Sequence, residues 1–110
     1  MSAYNIVRFR AKPGCEDKII QAHRHASANF PGFIHGSLIK TGERSYCMIG
    51  EWDKQSSIEA AENEMVNILD TFRDSLENLG SGLGVTDPVA GEVLVELESN
   101  NSNLKISSTA

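Results

Sequence analysis

The side chains of this chain that could do chemistry are few: three histidines, two cysteines, some amides and a handful of aromatics. His23 stands among Ile19, Ile20, Ala26 and Phe30 at helical spacing. An imidazole on an apolar helix face, titrating near neutrality, can serve as a general base. The plainer alternative is a half-buried histidine bonded to a backbone carbonyl. His25 points elsewhere on the helix, and the pair lacks the i, i+4 spacing of helical metal ligands. His35, with Ser37 two residues on, can line a pocket and orient a substrate oxygen, or equally make a cross-strand or subunit contact. Asn5 can donate to an enolate or peroxide oxygen, or close a backbone bond at a strand edge. Tyr46, Trp52, Met65 and Phe72 are candidates for the wall of a small-molecule pocket, although each also reads as ordinary core.

Other features carry less. Cys15 lies near a helix start, where a thiol becomes more acidic, but no base stands at a fixed spacing from it. Gly80, Gly82 and Gly84 follow a helix instead of opening one, unlike a phosphate loop. Cys15 and Cys47 form no CxxC, and no Cys/His cluster suits zinc, so neither metal nor organic cofactor is expected. The net charge of −5 disfavours binding to a phosphate backbone. No apolar stretch approaches the roughly 20 residues that cross a bilayer. No basic stretch followed by an apolar run opens the chain, so a cytoplasmic protein with free thiols is expected.

These residues must be positioned by a 110-residue chain, the size of one domain. Ile6, Val7 and Phe9 predict a strand over 4–11, stopped by Lys12-Pro13-Gly14. A helix is predicted over 15–29, with Glu16 and Asp17 in its first turn, broken by Phe30-Pro31-Gly32-Phe33. Strands over 33–40 and 46–52 flank a hairpin loop at 41–44. An apolar stripe from Ile58 to Leu79 predicts a second helix over 56–79, opened by a Ser56/Glu59 capping box and closed by Gly80. Val93, Val95 and Leu97 alternate with acids and predict a last strand over 91–97. Residues 1–98 thus form the domain, and 99–110 a polar tail.

The order β-α-β-β-α-β is that of the α+β ferredoxin-like fold, with an antiparallel sheet. Two helices cover one sheet face. The first and third strands nevertheless carry apolar side chains of both parities: Tyr4 and Ile6 against Val7 and Phe9, Cys47 and Ile49 against Tyr46, Met48 and Trp52. A sheet face open to water would alternate more cleanly. A second copy of the chain is the expected cover, as a homodimer.

The chain resembles the antibiotic biosynthesis monooxygenase family, a branch of the dimeric α/β-barrel proteins. The resemblance spans about residues 3–97. It rests on Val7-Arg8-Phe9-Arg10-Ala11-Lys12-Pro13-Gly14, Phe30-Pro31-Gly32-Phe33-Ile34, Glu51-Trp52 and Ser56-Ser57-Ile58-Glu59-Ala60, in that order. It implies a homodimeric barrel, a pocket between sheet and helices, and cofactor-independent oxygenation of a small hydrophobic, aromatic or quinol-like molecule. His23, His35 and Asn5 would be the catalytic groups and Tyr46, Trp52, Met65 and Phe72 the substrate-binding ones. The alternatives are a non-catalytic ligand-binding dimer and a stress-related accessory protein on the same fold. The haem-degrading branch of the family needs an Asn on strand one and a Trp and a His on the second helix. Val7, Ala61 and Thr71 stand at those places, so haem degradation is not expected.

Overall fold

Along β1 (Ala3–Arg10) the side chains sort by parity: Ala3, Asn5 and Phe9 are buried, while Tyr4 and Arg8 are exposed. Alternation of this kind is what a strand with one face on the core requires. The computed structural model describes residues 2–99, so the tail expected over 99–110 lies, but for Ser99, outside the described residues. After β1 come α1 (Glu16–Arg24), β2 (Phe33–Gly42), β3 (Ser45–Trp52), α2 (Gln55–Ala60), α3 (Glu62–Asp70), a 3₁₀ turn at Arg73–Ser75 and β4 (Asp87–Glu92). The four strands form one antiparallel sheet in the order β2-β3-β1-β4, the α+β ferredoxin-like arrangement.

Register fixes the two faces, because directly opposed residues share a side. Ala3 opposes Trp52, Asn5 opposes Gly50, Val7 opposes Met48 and Phe9 opposes Tyr46, and this set lies under the helices. Tyr4, Ile6 and Arg8, opposite Glu51, Ile49 and Cys47, form the other face. There Tyr4 and Ile39 remain 38% and 41% exposed. The buried apolar residues fall into two clusters. Phe9, Ala11, Ile19, Tyr46, Phe72 and Leu76 make one, and Ala3, Trp52, Ile58 and Ala61 the other. Trp52, Ile19 and Leu76 are the largest side chains fully removed from water. Burial of that extent contributes about 1.5–3 kcal/mol for an Ile- or Leu-sized side chain.

Several predicted bounds need correction. The first helix ends at Arg24 instead of 29, and residues 26–30 leave it as a strap that carries Phe30 to Trp52. The single helix predicted over 56–79 is two helices broken at Ala61 (φ −93°, ψ 3°). Lys54, not Ser56, is the N-cap of α2, and no side chain caps it; Ser57 instead donates to Asp53 Oδ1 at 2.6 Å. α3 stops where the Thr71 hydroxyl takes the Ile68 carbonyl at 2.6 Å, a local bond that competes with the helical one. Leu76 then pairs with Ala11, flanked by Lys12 N–H to Ser75 O (2.8 Å) and Glu77 N–H to Arg10 O (2.8 Å). The apolar spacing of Phe72 and Leu76 therefore serves a core reached by turn and extended chain. Gly80 has φ +83° as expected, but inside a loop well past the helix end.

β4 lies four to five residues earlier than predicted. Pro88 falls inside β4, which is an edge strand, where a missing N–H is tolerated. The alternating run that suggested 91–97 continues the pairing only through Val93 N–H to Ser2 O (2.8 Å), and Leu94, Val95 and Leu97 are exposed.

Candidate functional site

Members of both apolar clusters line a cavity of about 610 Å³ between the sheet and the helices. That volume falls in the range of small-molecule sites. β1 and β3 contribute Asn5, Val7, Phe9, Met48 and Trp52, and α2 and α3 cover them with Ile58, Met65, Ile68 and Leu69. His23, Ala26 and Phe30 close one side, and Thr86 and Pro88 another.

The floor is held by one hydrogen bond. Trp52 donates from Nε1 to Asn5 Oδ1 at 2.8 Å, across 47 residues of sequence. Gly50 makes room for it: a Cβ there would collide with Asn5 Oδ1 and lie 3.0 Å from Trp52 Nε1. The Trp52 ring is set by Phe30, stacked at 5.7 Å, and Phe33, edge-on at 5.0 Å. Asn5 is 9% exposed, and among the described residues its Nδ2 meets only the Met65 thioether at 3.8 Å. A thioether is a weak acceptor, so this amide retains donor capacity toward a ligand oxygen.

His23 is clamped between rings, 5.7 Å from Phe9 and 4.9 Å from Phe72. Its Nδ1 lies 2.9 Å from the Ile19 carbonyl oxygen. A carbonyl only accepts, so Nδ1 carries the proton and the neutral ring keeps its lone pair on Nε2. The expected carbonyl bond is thus present and is compatible with a basic second nitrogen. His23 also lines an outer groove with Glu16, Arg24 and Lys40.

Of the sequence-predicted residues, Asn5, His23, Trp52, Met65 and Phe72 come together around the cavity. Two do not. His35 opposes Glu51 on the other sheet face and does not line the cavity. Tyr46 is buried against Phe9 (centroids 6.4 Å) and faces the outer groove. Lining residues that sequence reasoning missed are Phe30, Phe33, Gln55, Glu59 and Glu62. Phe30 and Phe33 were visible as a Phe-Pro-Gly-Phe break but read as turn chemistry. Gln55 Oε1 is buried without a hydrogen-bond partner among the described residues. Glu59 and Glu62 are exposed at the cavity edge, and no lysine or arginine among the described residues lines it.

Away from the cavity, Glu77 ties the end of β1 to the β2–β3 hairpin. It accepts from Arg10 Nε at 2.8 Å and Arg44 Nη1 at 3.1 Å, while Arg44 also donates to the Ala11 carbonyl at 2.6 Å. The Arg10 hydrogen bond holds the Glu77 carboxyl below its ordinary value; lost hydration opposes this and Arg44 adds to it. Among the described residues no group of three His, Cys, Asp or Glu side chains could hold a metal ion. No helix there is long and apolar enough to cross a membrane.

No protein-family model and no curated protein matches the sequence. Solved structures do match the fold. SnoaB, a cofactor-independent oxygenase from Streptomyces nogalater, superposes in its N63A mutant with a TM-score of 0.70 at 14% identity, over 89% of this chain and 98% of its own. A protein of unknown function from Nitrosomonas europaea gives 0.70 at 17% identity, over 89% and 94%. A candidate antibiotic biosynthesis monooxygenase from Chloroflexus aurantiacus gives 0.67 at 14% identity, over 89% and 98%. Identities this low carry the fold and not the activity. Over most of its length the chain therefore has the α+β ferredoxin-like fold of the antibiotic biosynthesis monooxygenase structures.

Proposed function

We propose that the chain is a cofactor-independent monooxygenase acting on a small aromatic or quinol-like molecule held in the sheet–helix cavity. One observation carries the reading: a basic His23 nitrogen and an underused Asn5 amide line one aromatic-walled cavity. His23 Nε2 takes a proton from an activated ring carbon. The resulting carbanion gives electrons to dioxygen, which joins that carbon as a peroxide. Loss of water, with the proton returned by His23, leaves a carbonyl: a ring CH₂ and O₂ become C=O and H₂O. Asn5 Nδ2 donates to the oxygen on which charge develops.

The same proposal includes a second copy of the chain over the free sheet face. Tyr4, Ile6, Ile39 and Ile49 support it, because they present apolar surface there that no helix among the described residues covers.

Oxygen uptake with a panel of quinols and anthrones tests the activity. His23→Ala is expected to lower turnover by about 100-fold or more. Asn5→Ala is expected to lower it by roughly 100-fold. Uptake indistinguishable from the buffer blank across the panel would remove the oxygenase in favour of ligand binding without turnover.

A further inference from the structure

The charges around the cavity bear on which aromatic molecules it accepts. Glu59 on α2 and Glu62 at the start of α3 stand on either side of the break at Ala61, and both line the cavity. Neither is paired: the ion pairs among the described residues are Arg10–Glu77, Arg44–Glu77 and Arg73–Asp70. Among the described residues His23 is the one lining residue that can carry positive charge, and its Nδ1 is committed to the Ile19 carbonyl. An anion entering this space passes two unpaired like charges at the cavity edge, a repulsion that solvent and salt moderate because both side chains are exposed. The chain as a whole, at −5, adds a field of the same sign. On the inner side, by contrast, the Asn5 amide offers a donor suited to a neutral carbonyl or phenolic oxygen.

We propose that Glu59 and Glu62 set the charge of the ligand: the cavity takes uncharged aromatic molecules bearing a carbonyl or phenolic oxygen and turns away their carboxylates. This rests on the reading of the cavity as the substrate site, and it narrows the substrate class to carboxylate-free molecules. Like-charge juxtaposition is a common device for excluding wrong partners.

Calorimetric titration of the full chain at pH 7 with 2-naphthol and 2-naphthoate tests it without requiring turnover. Naphthoate is expected to bind on the order of ten-fold more weakly than naphthol. Glu59→Gln with Glu62→Gln should bring the two ligands within about three-fold of each other, and each single substitution should close part of the gap. Thermal unfolding of the variants verifies that they fold. Equal affinities in the parent protein, or a gap unaltered in the double variant, would overturn the proposal. Binding of neither ligand would remove the cavity as a ligand site, and the oxygenase with it. A naphthol preference with no oxygen uptake from any quinol or anthrone would leave the charge selection standing and remove only the oxygenation.

Discussion

Gly50 has no side chain, and the place of its missing Cβ is occupied by the Asn5 carbonyl oxygen and the Trp52 indole N–H. Three residues thereby act as one unit: the glycine yields space, the tryptophan donates, and the asparagine keeps its N–H₂ turned to other partners. Trp52→Phe retains most of the ring packing but leaves Asn5 Oδ1 buried without its donor. The expected cost is about 1–3 kcal/mol, read by urea unfolding followed in far-ultraviolet circular dichroism. Asn5→Leu added to Trp52→Phe removes the stranded acceptor and should recover part of that loss; a purely additive double variant would show that the bond does not couple the two residues. Sequence alone showed that Asn5 and Trp52 were polar and aromatic candidates. It did not show that they meet, because residues 47 apart are joined only by the β1–β3 register. The same limit left His35 open between a pocket role and a cross-strand or subunit contact. Its parity on β2 depends on a register irregularity between Phe33 and His35, which residue types do not encode.

Elements were legible where a period and its punctuation agreed. β1, β3 and the Pro13-Gly14 turn fall within a residue or two of expectation, since β-branched runs and turn residues mark them from both sides. The long helix was misread because a stripe at steps of three and four describes what must be buried, not how the chain gets there. Past Asp70 the chain leaves the helix so that Leu76 can pair with Ala11, and Glu77 then reaches Arg10 and Arg44. That clamp joins segments far apart in the chain and has a titratable centre. Its folded carboxyl is held below its unfolded value, so it favours the folded state above the ordinary carboxylate range. The contribution fades as pH falls through the lowered folded value. Glu77→Gln should therefore melt at a lower temperature than the parent at pH 7, with the two melting curves converging as the pH is taken below the lowered carboxyl value. A gap that stays constant down to acid denaturation would assign the difference to shape and not to charge. Both partners are partly exposed, so salt should narrow the gap at neutral pH as well.

At the scale of the whole molecule, the sheet has one face given to the cavity and one left with an apolar patch among polar side chains. β1 and β3 serve both faces: Asn5 and Trp52 point to the cavity side, while Ile6 and Ile49 oppose each other on the far side. A second copy seated on that far face would withdraw Tyr4 and Ile39 from water and brace the strands that position the cavity floor. The sequence carried this signal in the mixed parity of β1 and β3, and the exposures on the free face now give it particular residues. Folding coupled to association makes the melting temperature rise with protein concentration, because mass action favours the paired native state. The parent protein should thus sediment as a dimer at micromolar concentration and melt higher as its concentration increases. Ile39→Asp and Tyr4→Asp each place a carboxylate in the contact, where its desolvation is uncompensated. Each should shift sedimentation toward the single subunit and flatten the concentration dependence of melting. A parent protein that sediments as one subunit, with a melting temperature indifferent to concentration, would leave the free face as ordinary apolar surface and the cavity floor supported by one chain alone.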